Sequence, residues 1–164
     1  MNVFHAAADA IHTAHPEAAV EALVQEIDIH APADRVFRAL TRPEDLLQWW
    51  AAEGRFRATE VESDLRPGGK WRMRVEGACG ADASCSIVSG TYLEIATPHL
   101  LVFTWLRENE DDWETTVRWE LTERDGVTTA RVTHSGFTSE RMRNRNSGWV
   151  LIKELLRNYS ERQE

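Results

Sequence analysis

The chain has 164 residues, 42% of them hydrophobic, the size and composition of one domain with one packed core. Nineteen Lys and Arg against 27 Asp and Glu give a formal net charge of −8, which disfavours binding along a phosphate backbone and sets nucleic acid aside as a partner. No apolar run approaches the length of a bilayer span, and the start, Met1 to Ala10, lacks a basic leader and is interrupted by Asp9, so the expectation is no membrane segment and a cytoplasmic location.

Residues 1–22 read as an N-terminal extension of one or two helical turns, rich in Ala and His, and residues 23–164 as the domain proper. His5, His12 and His15 fall on loosely helical spacing, but no carboxylate completes a metal site, so they read as a polar helix face. From Leu23 the pattern has period two, with Ile27 and Ile29 alternating with Glu26, Asp28 and His30, as in a half-buried strand. Pro32 then suits the first turn of a helix carrying Val36, Phe37 and Leu40. Thr41-Arg-Pro-Glu44 has the form of a capping box that opens a second short helix bearing Leu46, Leu47, Trp49 and Trp50.

A strand over Phe56 to Leu65 leads to Arg66-Pro-Gly-Gly69, whose Pro-Gly pair predicts a type II turn. Beyond it Trp71, Met73 and Val75 alternate with Lys70, Arg72, Arg74 and Glu76, the clearest amphipathic strand in the chain. Cys79 and Cys85 lie in a Gly/Ala/Ser-rich loop that permits a disulfide between them, but a reducing compartment favours free thiols, and a lone C-x5-C is a poor zinc motif. Further strands are predicted at Ile87 to Ile95, Leu100 to Leu106, Trp113 to Leu121 and Val127 to Ser135, about seven in all. The acidic run Glu108 to Glu114 lacks the ligand pattern of a calcium loop and reads as a solvated hairpin tip.

Thr138 to about Glu161 reads as one long helix, with Met142, Trp149, Ile152, Leu156 and Tyr159 close to one face. A long amphipathic helix after a run of antiparallel strands buries its stripe most economically across the concave face of a curved sheet, an α+β grip. The inward set is then Trp71, Met73, Phe103, Trp105, Val117, Trp119, Val132 and His134 from strands, Trp149 and Ile152 from the helix, and Trp49 or Trp50 from the end. These side chains either line a pocket for a small apolar or aromatic ligand or close-pack as core.

His134 lies on the apolar side of its strand, either as a hydrogen-bonded structural residue or as an acid or base, and adjacent Ser135 points to the opposite face and cannot be its nucleophile. Strict alternation puts Tyr92 and Glu94 on one face, Leu93 and Ile95 on the other, without saying which face is inward. The sequence has no GxGxxG, GxxxxGK[ST] or HExxH, so dinucleotide, P-loop and zincin chemistry have no sequence support and no cofactor or metal is expected.

Several words in this order resemble the START-like (SRPBCC, birch-pollen-allergen-like) superfamily, and within it the activator-of-heat-shock-ATPase homologue family. They are Ala31-Pro-Ala-Asp-Arg-Val-Phe-Arg-Ala-Leu-Thr-Arg-Pro-Glu44 running to Trp49-Trp50, Arg66-Pro-Gly-Gly-Lys-Trp71, Gly90-Thr-Tyr-Leu-Glu-Ile95, Leu101-Val-Phe-Thr-Trp105, Thr133-His-Ser-Gly-Phe137 and Gly148-Trp149, spread over about residues 23 to 160. The resemblance implies a helix-grip fold of six to seven strands around a long C-terminal helix, with a cavity between them. Three functions follow as expectations: binding of a small apolar molecule in that cavity, stimulation of a heat-shock chaperone ATPase through the surface, or cyclase- or hydrolase-type catalysis using His134 or Glu94. An exposed edge strand permits a homodimer without specifying one.

Overall fold

The computed structural model describes residues 20–77, 85–110 and 113–162. The predicted N-terminal helical turns, the three early histidines and Cys79 lie outside the described residues, and so does any pairing of the two cysteines. In chain order the elements are β1 (Leu23–Ile29), α1 (Ala33–Thr41), α2 (Pro43–Trp49), β2 (Ala51–Ala52), β3 (Phe56–Ser63), β4 (Lys70–Glu76), β5 (Cys85–Ala96), β6 (Leu100–Arg107), β7 (Thr115–Arg124), β8 (Val127–Ser135), α3 (Glu140–Arg145) and α4 (Trp149–Arg162). Among the described residues eight strands form one antiparallel sheet in the order β1-β8-β7-β6-β5-β4-β3-β2, so the first strand is carried across to pair with the last. Between them run α1 and α2, and α4 lies against β1, where the Lys153 ammonium donates to Gln25 Oε1 at 2.8 Å. This is the helix-grip arrangement.

The extra strand, β2, is only two residues long, pairing Ala51 with Arg57 and Ala52 with Phe56, too short to leave any periodicity in the sequence. The β3–β4 connection is the predicted tight turn: Gly68 has φ +86° and the Gly69 N–H donates to Arg66 O at 2.8 Å. The capping box predicted at Thr41 is not formed. Thr41 ends α1, its hydroxyl donates back to Phe37 O at 2.8 Å, and Arg42 takes the N-cap position of α2 with Pro43 at its first turn. Pro32 sits at the N-cap of α1, one position before the helix it was expected to enter.

The predicted long C-terminal helix is two helices. Ser139 caps α3 by accepting from the Met142 N–H at 3.1 Å, and α3 ends at Asn146, whose side chain is drawn inward. Its Oδ1 accepts from the Trp105 indole at 3.1 Å while its Nδ2 donates to Met142 O at 2.9 Å. The helix restarts where Gly148 O accepts from the Leu151 and Ile152 N–H groups. From there Trp149, Ile152, Leu156 and Tyr159 bury one stripe, as their spacing requires.

The far end of α4 is tied to α2 by the Tyr159 hydroxyl, which donates to Asp45 Oδ1 at 2.6 Å. Burial, and this bond to a carboxylate, push the Tyr159 hydroxyl up to about 12. Tyr159→Phe keeps the ring and removes one short charge-assisted bond, so we expect a loss of about 1–2 kcal/mol in urea-unfolding free energy. An unchanged midpoint would mean the bond contributes nothing to holding α4 in place.

Candidate functional site

Six of the seven tryptophans gather under α4, while Trp113, just ahead of β7, is 58% exposed. In β4 and β6 the period-two alternation sends Trp71 and Met73, and Phe103 and Trp105, to the concave face. Trp71 meets Phe103 edge-on at 5.3 Å between ring centroids and Trp105 at 5.6 Å. Trp105 in turn lies 5.5 Å from Trp149, the first residue of α4, and Trp149 lies 6.0 Å from Trp119 of β7. Half-buried Trp50, just past α2, touches Trp49, Trp105 and Trp149 at 5.3, 6.3 and 6.2 Å.

Two spaces flank this tryptophan partition. An inner cavity of about 50 Å³ is bounded by Trp71, Tyr92, Phe103 and Trp119, with Leu40 and Leu46 of the short helices closing the end. At its rim, exposed Glu62 and the Ser63–Tyr92 hydroxyl pair, 2.8 Å apart, supply the polar groups. Burial raises the Tyr92 hydroxyl above its ordinary value, so it stays protonated as a hydrogen-bond donor or acceptor. A larger groove of about 210 Å³ runs beneath the start of α4, between Phe56, Val75 and Val88 on the sheet side and Gly148, Leu151 and Ile152 on the helix side. Trp50, Met73, Trp105 and Trp149 are walls of both spaces. The buried Trp71 indole N–H makes no hydrogen bond among the described residues.

Of the predicted inward residues, Trp50, Trp71, Met73, Tyr92, Phe103, Trp105, Trp119, Trp149 and Ile152 line one or both spaces. Trp49, Val117, Val132 and His134 are buried among the core residues and line neither. Trp49 is held there by its indole, which donates to Ala39 O at 2.8 Å. The shared face predicted for Tyr92 and Glu94 does not occur, because the β5–β6 register shifts between them, pairing Tyr92 with Phe103 and Glu94 with Val102. Tyr92 is buried, Leu93 and Glu94 are both exposed, and Ile95 returns to pack against the core.

His134 is fully buried, and its two ring nitrogens are both engaged. The Trp149 indole N–H, which can only donate, reaches Nδ1 at 3.0 Å, so the ring proton is on Nε2. Nε2–H donates to Thr115 Oγ1 at 2.7 Å, and the Thr115 hydroxyl donates on to Trp105 O at 3.0 Å. Burial, aided by the positive charge of Arg107, lowers the His134 pKa to about 3, so the ring is neutral at ordinary pH. This relay fixes the orientation of Trp149, and Asn146 does the same for Trp105. His134 is in this geometry a positioning residue for the wall.

Sequence reasoning missed Asn146, Thr115 and Ser63. Asn146 just before Ser147-Gly148 carries a helix-stop signal that was available, whereas nothing in the sequence marks Thr115 or Ser63 as inward partners. Among the described residues no group of three or more His, Cys, Asp or Glu is placed to hold a metal ion, and no helix is long and apolar enough to cross a membrane.

An eight-stranded sheet gripping a C-terminal helix, with an aromatic-walled space between them, defines a START-like helix-grip protein. The chain belongs to the family described as activator of Hsp90 ATPase homolog 1-like protein, whose model matches residues 30–161. No curated protein matches it. Among solved structures it is similar to protein CV1439 from Chromobacterium violaceum, at 21% identity and TM-score 0.76 over 87% of this chain and 99% of that one. CalU16 from Micromonospora echinospora matches at 24% identity and TM-score 0.63, over 86% of this chain and 76% of that one. DynU16, from the dynemicin biosynthetic locus, matches at 21% identity and TM-score 0.67, over 87% of this chain and 48% of that one. At these identities the likeness is one of fold.

Proposed function

We propose that the protein binds a small apolar or aromatic molecule between the sheet and α4. The observation that carries this reading is the groove of about 210 Å³ under the start of α4, walled among the described residues by Trp50, Trp105 and Trp149. Its volume exceeds the ~150 Å³ cavity that takes benzene and falls short of the ~300–1,000 Å³ of pockets for drug-sized ligands, which suits a body of one or two rings. Hydrogen bonds to Asn146 and His134 hold two of the three indoles in fixed orientations, so part of the wall is organised before a ligand arrives. The titratable candidates for catalysis, His134 and Glu94, are absent from the residues lining either space, which favours binding over turnover.

The family's description supports a second reading, in which the chain stimulates a heat-shock chaperone ATPase through its surface. The two separate in one set of measurements. Native mass spectrometry of the purified protein, compared with its denatured mass, should reveal a stoichiometric small molecule, and N-phenyl-1-naphthylamine should bind saturably at one site. Trp50→Ala removes a wall from both spaces and should weaken that binding about tenfold, the loss of roughly one aromatic contact. Absence of both an extra mass and saturable probe binding, together with chaperone stimulation that Trp50→Ala leaves intact, would replace the binding reading with the surface one.

A further inference from the structure

We infer that the ligand of this site carries a neutral carbonyl oxygen, seated in the inner cavity as the acceptor of the Trp71 indole N–H. The inference rests on the binding reading above and names the chemical class of its ligand. Buried polar groups in folded proteins are hydrogen-bonded as a rule, because an unpaired one gives up its water without a replacement. Three other indoles of the cluster follow that rule: Trp49 donates to Ala39 O, Trp105 to Asn146 Oδ1 and Trp149 to His134 Nδ1. Trp71 is 9% exposed, and its Nε1–H has no partner among the described residues. The strand register explains why. Trp71 on β4 is paired with Ser63 of β3 on one side and with Gly90 of β5 on the other. Its indole lies so close to Gly90 that a Cβ there would meet Nε1 at 2.7 Å, and Gly90 brings no side chain to accept from it. An indole N–H can only donate, so the group it lacks is an acceptor.

Trp71 is a wall of the inner cavity, and the other groups around that cavity set the kind of acceptor it takes. Among the described residues no Arg or Lys lines it and exposed Glu62 stands at its rim, so an anionic head would meet no counter-charge there, whereas a neutral oxygen fits. The Ser63 and Tyr92 hydroxyls, 2.8 Å apart, spend one proton on each other and keep the second for an acceptor at the rim. A volume of about 50 Å³, at ~10–15 Å³ for one water, takes a head of about three or four non-hydrogen atoms, the size of an acetyl group. The rings of the ligand then lie against Trp105 and Trp149, which wall the groove as well as the cavity. Those two indoles are pinned by hydrogen bonds, while the half-buried Trp50 indole has ring contacts and no hydrogen bond among the described residues. Trp50 is therefore the panel that gives way to a ligand reaching from the groove into the cavity.

The test is a titration of the isotope-labelled full chain with acetophenone and with α-methylstyrene, whose carbonyl and vinylidene groups share one shape, followed through the indole N–H resonances in NMR. A purely apolar site favours the alkene, because the ketone must shed its water to enter. Binding of the ketone about fivefold or more tighter than the alkene is expected instead, with the Trp71 indole resonance moving downfield for the ketone alone. Trp71→Phe should bring the two ligands to within about twofold of each other. In the wild-type protein the Trp71 resonance is assigned through its contacts with Phe103, which keeps the test open where Trp71→Phe does not fold. A preference for the ketone that survives Trp71→Phe, or a Trp71 resonance that moves alike with both ligands, would overturn the assignment to this N–H. Equal or weaker binding of the ketone to the wild-type protein would overturn the carbonyl inference and leave the apolar groove standing. Failure of both ligands to bind would overturn the binding reading and this inference with it.

Discussion

Gly90→Ala is expected to destabilise the protein by about 3 kcal/mol, at the upper end of what overpacking a core costs. A Cβ on Gly90 would lie 1.9 Å from Thr104 O and 2.7 Å from Trp71 Nε1, one a backbone atom of the neighbouring strand and the other part of a large ring. Directly opposed residues of an antiparallel pair present their side chains to the same face, so the Trp71 indole occupies the space that Gly90 leaves open. Neither neighbour can yield easily. Ser89 and Tyr92 are paired with Leu106 and Phe103 on either side, and the Thr91 N–H is spent on Thr104 Oγ1 at 2.8 Å. The alanine therefore either parts β5 from β6 or drives Trp71 out of the wall of the inner cavity. Urea unfolding followed by both far-ultraviolet dichroism and tryptophan emission should show an earlier midpoint. Gly148→Ala is the control, since its added Cβ meets nothing within 4 Å and its φ is ordinary, and it should leave the midpoint unchanged or raise it. Equal midpoints for wild type and Gly90→Ala would mean that the strand contact at Gly90 is not a constraint on the fold.

What the sequence made legible follows from which forces act locally. The alternation of Trp71, Met73 and Val75 with Lys70, Arg72, Arg74 and Glu76 is readable because one face of β4 is core and the other is solvent, and all three apolar residues are buried. The stripe from Trp149 to Tyr159 is readable for the same reason at the helical period. Features set by a distant partner were not readable. The inward turn of the Asn146 side chain meets the indole of Trp105, 41 residues away, and the opposite fates of Tyr92 and Glu94 depend on how β6 pairs across the bulge. In the site, the aromatic walls were visible as an excess of tryptophan. The polar side of the larger groove was not, because Arg55, Arg107 and Arg145 each look like one more solvated charge until the sheet and the α3–α4 junction bring them to one groove.

Acidification should weaken the protein through His134. Its folded pKa of about 3 lies below the ordinary imidazole value, so between the two the unfolded chain takes up a proton that the folded protein refuses. The associated stability is fully present above about pH 6.5 and is lost as pH falls toward 3, at up to about 1.4 kcal/mol per pH unit. Between pH 7 and 4.5 the expected loss from this one group is about 2.5 kcal/mol. The fully buried position leaves no water to soften the cost, and protonating Nδ1 also turns the acceptor of the Trp149 indole into a second donor. Wild type and His134→Gln should therefore be compared by urea unfolding at both pH values. A glutamine amide can accept from Trp149 and donate to Thr115 but carries no titratable proton. Carboxylates and the other five histidines are common to the two proteins, so the difference between their pH responses isolates His134. The variant should be the less stable protein at pH 7 and should lose less on acidification, so that the two stability curves converge. Parallel curves would show that folding does not lower the His134 pKa, and with it that the tryptophan wall does not depend on a neutral imidazole.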